Sequence, residues 1–227
     1  MNTNEETRLV SVEADGIGRY YQSPTNGKWF PSVTTVVNHR DAEKWKQWRE
    51  DPANQKTSEA AIQRGNALHL LAEEYLTKGT IPTTPEDRKY FDPLFPLLKN
   101  INEIYAIERP LWSDNLMIAG RTDCIGEYLG EPAIIDFKTA SKEKRKSWIT
   151  NYFHQAAAYS YMWEERTGQR INNLVVLITT SQGTSQEFVE SREDHKEGLG
   201  EVIRAYWSKY KFKQIQEIAN ELVKKIS

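Results

Sequence analysis

The sequence predicts a mixed α/β fold whose centre runs helix, three antiparallel strands, helix, strand, with further helices on either side. Three observations predict it. Ala61, Leu68, Ala72, Tyr75 and Leu76 recur near a 3.6-residue period in 58–77. Three β-rich stretches, "YAIERPLW", "LMIAGRTDCIGEYL" and "PAIIDFKT", follow with only the short turns "SDN" and "GE" between them. "NNLVVLITT" is the most β-like stretch in the chain, and a helical pattern separates it from the third of those strands.

In chain order, "RYYQSPTNGKWF" has aromatic runs broken by a turn signal, which predicts a short hairpin at 19–21 and 28–30. "PSVTTVVNHRDAEKWKQWRE" starts with hydroxyl-bearing capping residues and leads into a helix, so hairpin and helix together occupy 19–50. "DPANQKT" reads as the loop that ends it, and Ser58 as the N-cap of the next helix, which Gly79 ends. A helix at about 86–102 carries Pro93 and Pro96 in its middle. After the three strands, a basic loop, "ASKEKRKSW", leads to a helix at about 151–166 that stops near Gly168. "SQEFVE" is the hairpin partner of "NNLVVLITT", and a charged amphipathic helix covers 196–226. The 227 residues are expected to form one domain with its core at roughly 58–190.

Composition limits the function classes. Hydrophobic residues make up 38% and charged residues 27%, enough for a core beneath a very polar surface. No apolar run approaches a membrane span, so no membrane partner is expected. "MNTNEETRLV" has neither an apolar signal core nor the Arg-rich, acid-poor character of a transit peptide. Cys124 is the one cysteine, which excludes an internal disulfide and points to a reducing, cytoplasmic setting. The net charge of -2 does not advertise nucleic-acid binding, although a site can be locally basic on an acidic protein.

The chemistry gathers at the third strand. Asp136 and Lys138 are two apart and emerge on one face, while Phe137 points the other way. Asp123, in "GRTDCIG", can meet them at the end of the neighbouring strand, with Gly120 letting the strand bend or another backbone approach. Two carboxylates brought together repel unless a cation sits between them, and hard oxygen ligands suit Mg²⁺ or Mn²⁺. Lys138 would then stabilise developing negative charge. A structural Asp–Lys ion pair at a strand end accounts equally well for these residues alone. Gly65, His69 and Glu73 share a helix face, so an imidazole can supply a third ligand; a satisfied core histidine is the alternative. Glu108 is an acid in an otherwise apolar strand, either a further ligand or an edge charge. Gln155 and Tyr159 lie i, i+4 on the later helix and project together.

"GRTD", "IIDFKT" and the later Gln155 and Tyr159, preceded by "RGNALH", resemble the PD-(D/E)XK nuclease superfamily, specifically its RecB-like exonuclease branch and the mitochondrial-type and phage exonucleases within it. The resemblance covers roughly residues 30–190 and implies a restriction-endonuclease-like core. It implies metal binding by His69, Asp123, Asp136 and the main-chain carbonyl of Phe137, with Lys138 as the catalytic lysine. Gln155 and Tyr159 match the motif after the sheet, and Glu108 loosely matches an acid on the preceding strand. It further implies a divalent-metal-dependent exodeoxyribonuclease that cuts single-stranded DNA from a free end, in replication, recombination or repair. No iron–sulfur cluster is expected, because Cys124 cannot supply a cysteine quartet. A bacterial cell or phage-infected host is the expected setting, and a monomer the expected state. A structure-selective endonuclease and a non-catalytic nucleic-acid-binding module are the competing readings.

Single-stranded DNA needs aromatic faces and cations. Trp45 and Trp48 lie three apart in "EKWKQWRE" and can stack unpaired bases, unless they form the buried stripe of their helix. Lys142, Lys144, Arg145 and Lys146 make the most basic loop and directly follow the third strand, where a phosphate track would run. Arg64 and Arg121 are the other cations near the motifs.

Overall fold

A computed structural model describes residues 9–14 and 18–226. Its centre is a five-stranded sheet, β4 (Ile101–Ser113), β5 (Ile118–Tyr128), β6 (Glu131–Ala140), β7 (Asn173–Thr180) and β8 (Ser185–Ser191), in that spatial order. β4, β5 and β6 form the predicted antiparallel meander. β7 lies parallel to β6 after the crossover through α5 (Thr150–Thr167), and β8 pairs antiparallel to β7. This is the restriction-endonuclease-like arrangement of helix, three strands, helix and strand.

Strand alternation divides the core into two layers. On β6, Ile135 and Phe137 pack under α3 (Pro52–Lys78) and α4 (Pro85–Leu98), against Leu68, Ala72, Phe91, Leu94 and Leu98. Ile134 faces the opposite side, which α5 covers with Phe153, Ala156, Ala157 and Met162. α1 (Val33–Val37) and α6 (Arg192–Lys209) pack behind α5. Among the described residues no helix is long and apolar enough to cross a membrane.

Several boundaries differ from expectation. α3 begins six residues before Ser58: Asp51 is its N-cap, accepting from the Ala53 N–H at 2.9 Å, and Pro52 fills the first turn, where its missing N–H costs nothing. The apparent loop "DPANQKT" is thus a helix start, and Ser58 is buried within the helix. α4 ends at Leu98 rather than 102 because the chain is already paired as β4 from Ile101. Pro93 and Pro96 stay inside α4, where burial of Phe91, Leu94 and Leu98 outweighs the lost ladder bonds.

The N-terminal hairpin is part of a three-stranded sheet, β1 (Ser11–Ala14), β2 (Gly18–Gln22) and β3 (Trp29–Pro31). The helix expected after it is two helices, α1 and α2 (Ala42–Glu50). The single C-terminal helix expected at 196–226 is also two, α6 and α7 (Phe212–Ile226). Tyr210 takes an extended backbone and packs its ring 4.7 Å from Tyr206, which turns the chain back over the small sheet. α7 then buries Ile215 and Ala219 beside Val12 and Trp29. Gln216 satisfies both the N–H and the carbonyl of Trp29, each at 2.8 Å, so a side chain replaces the missing strand partner at that edge.

Candidate active site

The sheet forks. β5 and β6 are paired from Tyr128↔Glu131 as far as Cys124↔Ile135, and no further. Beyond that point β5 stays with β4 to Ser113↔Ile118, and β6 stays with β7 to Ala140↔Thr180. Asp123 and Asp136 are therefore the first residues past the last paired rung on each strand. The Phe137 N–H, freed from the ladder, donates to Asp123 Oδ2 at 2.8 Å. A strand residue's N–H and carbonyl face the same edge, so the Phe137 carbonyl also turns toward the fork.

His69 reaches the fork from α3. Its Nδ1 lies 3.3 Å from Asp123 Oδ1 and 3.8 Å from Glu108 Oε1. Glu108 gets there through its backbone: in the middle of β4 it adopts φ 46, a left-handed conformation a glutamate seldom takes. The consequence is visible on both sides of it. Ala106 and Leu111, five apart, face the same core layer, which simple alternation forbids. Arg121 ion-pairs with Glu108 at 2.8 Å from an exposed position. Ligating atoms of His69, Glu108 and Asp123 lie within 4.8 Å of one another.

Asp136 stands beside this trio and is 2% exposed. Lys138 Nζ straddles its carboxylate, 2.6 Å from Oδ1 in hydrogen-bonding geometry and 2.5 Å from Oδ2 without it. Gln155 Nε2 donates to the same Oδ1 at 3.0 Å, so Oδ2 is buried without a hydrogen bond. The Lys138 ammonium also lies 5.3 Å from the ring centre of Tyr152 on α5.

Tyr159, one turn beyond Gln155, is buried under the fork. Gly120 makes the room: a Cβ there would lie 2.7 Å from the Tyr159 hydroxyl oxygen and 3.0 Å from Cε1. This replaces the expected role of Gly120 in bending the strand. Gly65, one turn before His69, leaves the α3 face open, with Thr139 Oγ1 at 4.0 Å its nearest neighbour.

Charges set the proton inventory. Burial opposes a charge on His69, but Asp123 and Glu108 outweigh it and raise its pKa to about 10. Burial likewise opposes the Asp123 anion, yet His69, Lys138 and the Phe137 N–H hold its pKa below the usual value. Asp136 goes the other way, because burial and the nearby Asp123 charge exceed the relief from Lys138. Burial, then the Asp123 and Asp136 charges, keep the Tyr159 hydroxyl protonated well above the tyrosine range. Cys124, fully buried behind Asp123, is pushed up to about 12 by burial.

The donor set fits a hard divalent cation. One imidazole and carboxylate oxygens of Glu108 and Asp123 converge, and the buried Asp136 carboxylate stands beside them. His69, Glu108 and Asp123 are the residues that could hold it, with Asp136 and the Phe137 carbonyl adjoining. A cation at His69 would take the place of the imidazole proton.

The other sequence-predicted residues are distributed around the fork. Trp45 and Trp48 on α2 are 48% and 37% exposed, with rings edge-on at 6.0 Å, so neither forms a buried stripe. With Arg49, Ser58, Ala61 and Ile62 they line a cleft of about 280 Å³ between α2 and α3. Lys142 and Arg145 are exposed, Lys144 is half-buried, and Lys146 ion-pairs with Glu190. Arg64 turns toward α4, its guanidinium 5.7 Å from the Tyr90 ring centre. Sequence reasoning missed Tyr152, whose only signal is its place in the first turn of the helix that carries Gln155.

The fold and fork define a nuclease-type scaffold. The superfamily profile described as "PD-(D/E)XK nuclease superfamily" matches residues 88–227, and the chain belongs to that superfamily. It is 28% identical over 207 residues to "Mitochondrial genome maintenance exonuclease 1" of Homo sapiens, covering 82% of this chain and 58% of the human protein. The Mus musculus protein of the same name is 27% identical over 156 residues, covering 62% of this chain and 46% of that one. The chain thus spans about half the length of these curated relatives. A crystal structure from Eubacterium rectale superposes with a TM-score of 0.49 at 11% identity, covering 84% of this chain and 81% of that one.

Proposed function

We propose that this chain is a divalent-metal-dependent exonuclease that hydrolyses phosphodiester bonds of single-stranded DNA from a free end, in replication, recombination or repair. The observation that carries the reading is the fork between β5 and β6, which brings Asp123, Asp136 and Lys138 together with His69 and Glu108. Mg²⁺ or Mn²⁺ is the expected ion, held by His69, Glu108 and Asp123 with Asp136 and the Phe137 carbonyl alongside. When bound, it supplies polarisation of a phosphate oxygen and acidification of a water.

The chain's own groups do the rest. Lys138 presents a fixed ammonium to the charge that develops on the phosphate. Gln155 and Lys138 together hold the Asp136 carboxylate in one orientation. The open face above Gly65 admits the sugar–phosphate backbone. Exposed Trp45 and Trp48 suit stacking of unpaired bases, which favours a single strand over a duplex. Ile62 lies seven residues before His69, so their cleft is about 10 Å along α3 from the imidazole. The word exonuclease in the relatives' names favours attack from an end.

The test compares linear single strands with covalently closed circles of the same sequence in Mg²⁺ or Mn²⁺. The reading expects linear strands to shorten and circles to persist. Circles cut as fast as linear strands would make it an endonuclease of the same fold. Binding without cleavage of either would leave a nucleic-acid-binding module.

A further inference from the structure

Trp148 is a large apolar side chain, 55% exposed, that none of the chemistry above uses. It ends the basic loop between β6 and α5, and that loop is fastened down. Ser181 donates from its N–H to the Ala140 carbonyl at 2.9 Å and from its hydroxyl to the Ser141 carbonyl at 2.8 Å. Gln186 on β8 grips the Lys144 backbone twice: it accepts the N–H at 2.7 Å and donates to the carbonyl at 3.0 Å. Lys146 pairs with Glu190, and the next residue after Trp148, Ile149, is buried. The Trp148 N–H itself closes a tight turn on the Arg145 carbonyl at 2.9 Å.

A pinned loop holding an indole in water is a preorganised platform, since little freedom is lost when a flat partner stacks on it. The Arg145 guanidinium lies over the indole at 5.3 Å from its ring centre, so a cation is already in place for a phosphate beside a stacked base. The platform adjoins the fork. Tyr152, four residues on in the first turn of α5, carries the ring that meets Lys138. It stands on the α5 side of the sheet, whereas the Trp45–Trp48 cleft stands on the α3 side.

We propose that Trp148 and Arg145 form a stacking subsite for one unpaired nucleobase, on the opposite side of the fork from the α2–α3 cleft. The proposal rests on the single-strand nuclease reading. A strand crossing the fork would then be held by aromatic faces on both sides of the phosphate being cut. Lys142 and Lys144 would follow its backbone away from Trp148.

The test walks a single abasic position along a short linear strand and measures binding in chelator, so that nothing is hydrolysed, with wild type, Trp148→Ala and Trp148→Phe. Wild type should lose affinity by about 10-fold when the abasic position meets the indole. Trp148→Ala should bind every strand alike at that position, and Trp148→Phe should restore most of the dependence. Three results would overturn the subsite: an abasic profile of Trp148→Ala identical to that of wild type, a uniform loss at every position, or no sensitive position in wild type. If wild type cleaves linear strands in Mg²⁺ or Mn²⁺ while any of these holds, only the subsite falls. If wild type neither binds nor cleaves single strands, the nuclease reading falls with it.

Discussion

The backbone N–H of Phe137 donates a 2.8 Å hydrogen bond to the side chain of Asp123 across the opening between β5 and β6. One carboxylate therefore does two jobs. It replaces the missing strand partner of Phe137, and it faces His69 on its other oxygen. Asp136, the matching residue on the other strand, instead holds side chains, the Lys138 ammonium and the Gln155 amide.

Both roles predict a stability cost for the neutral substitution. Asp123 is held as an anion by His69 and a backbone N–H, so Asp123→Asn should cost about 1–3 kcal/mol in metal-free protein. Asp136 is buried and its surroundings oppose its charge, but that charge neutralises the buried Lys138 ammonium. Asp136→Asn leaves the ammonium without its nearest anion, so it too should be less stable than wild type in chemical denaturation. Both variants should lose strand cleavage.

Glu108 offers a separation of stability from activity. A left-handed, non-glycine residue costs roughly 1–2 kcal/mol in backbone strain. Glycine inside a strand ordinarily destabilises relative to alanine. At position 108 the order should invert, with Glu108→Gly more stable than Glu108→Ala by about 1 kcal/mol. Both should be poor nucleases. Thermal melts of the pair, each compared with Glu108→Gln, check the ranking.

Gly120 is predicted to be irreplaceable by alanine. Its Cβ would press on the Tyr159 ring, which is buried and has nowhere to go. Gly120→Ala should cost about 1–3 kcal/mol. Removing the hydroxyl relieves the shortest contact, so the Gly120→Ala, Tyr159→Phe double variant should be less destabilised than the sum of the singles.

Two histidines outside the site should add a component of acid sensitivity. His154 and His195 lie with ring centres 5.9 Å apart, and burial lowers both pKa values, reinforced by neighbouring cations at His154 and opposed by Glu190 and Asp194 at His195. A histidine whose folded pKa is depressed contributes stability that is present above about pH 6.5 and lost as pH falls through the folded value. His69, with its pKa raised to about 10, acts in the opposite sense and gains stability as pH falls toward 6.5, so the test is the difference: between pH 7.5 and 5.5 wild type should lose melting temperature relative to a His154→Gln, His195→Gln variant.

Much of this architecture was legible because the pattern was dense. The β4–β6 meander, α5 and β7 announce themselves by alternation, short turns and an apolar run, and their order alone brings Asp123, Asp136, Lys138 and Gln155 to one place. What stayed hidden depends on tertiary context. The start of α3 looked like a loop because Asp51 and Pro52 serve turns and helix starts alike. The break between α6 and α7 has no glycine or proline to mark it, only an aromatic cluster that pays off after α7 folds back. The left-handed backbone of Glu108 has no local signature at all, so the sequence leaves the acid as either a ligand or an edge charge, and only the fold puts its side chain beside His69.

The most direct test of the central claim uses linear single strands labelled at either end, incubated with wild type and Asp136→Asn in Mg²⁺, Mn²⁺ or chelator. The fork account predicts progressive loss of length with wild type and either metal, and none with chelator or with the variant. Shortening that persists in chelator, or that Asp136→Asn carries out as fast as wild type, would contradict it.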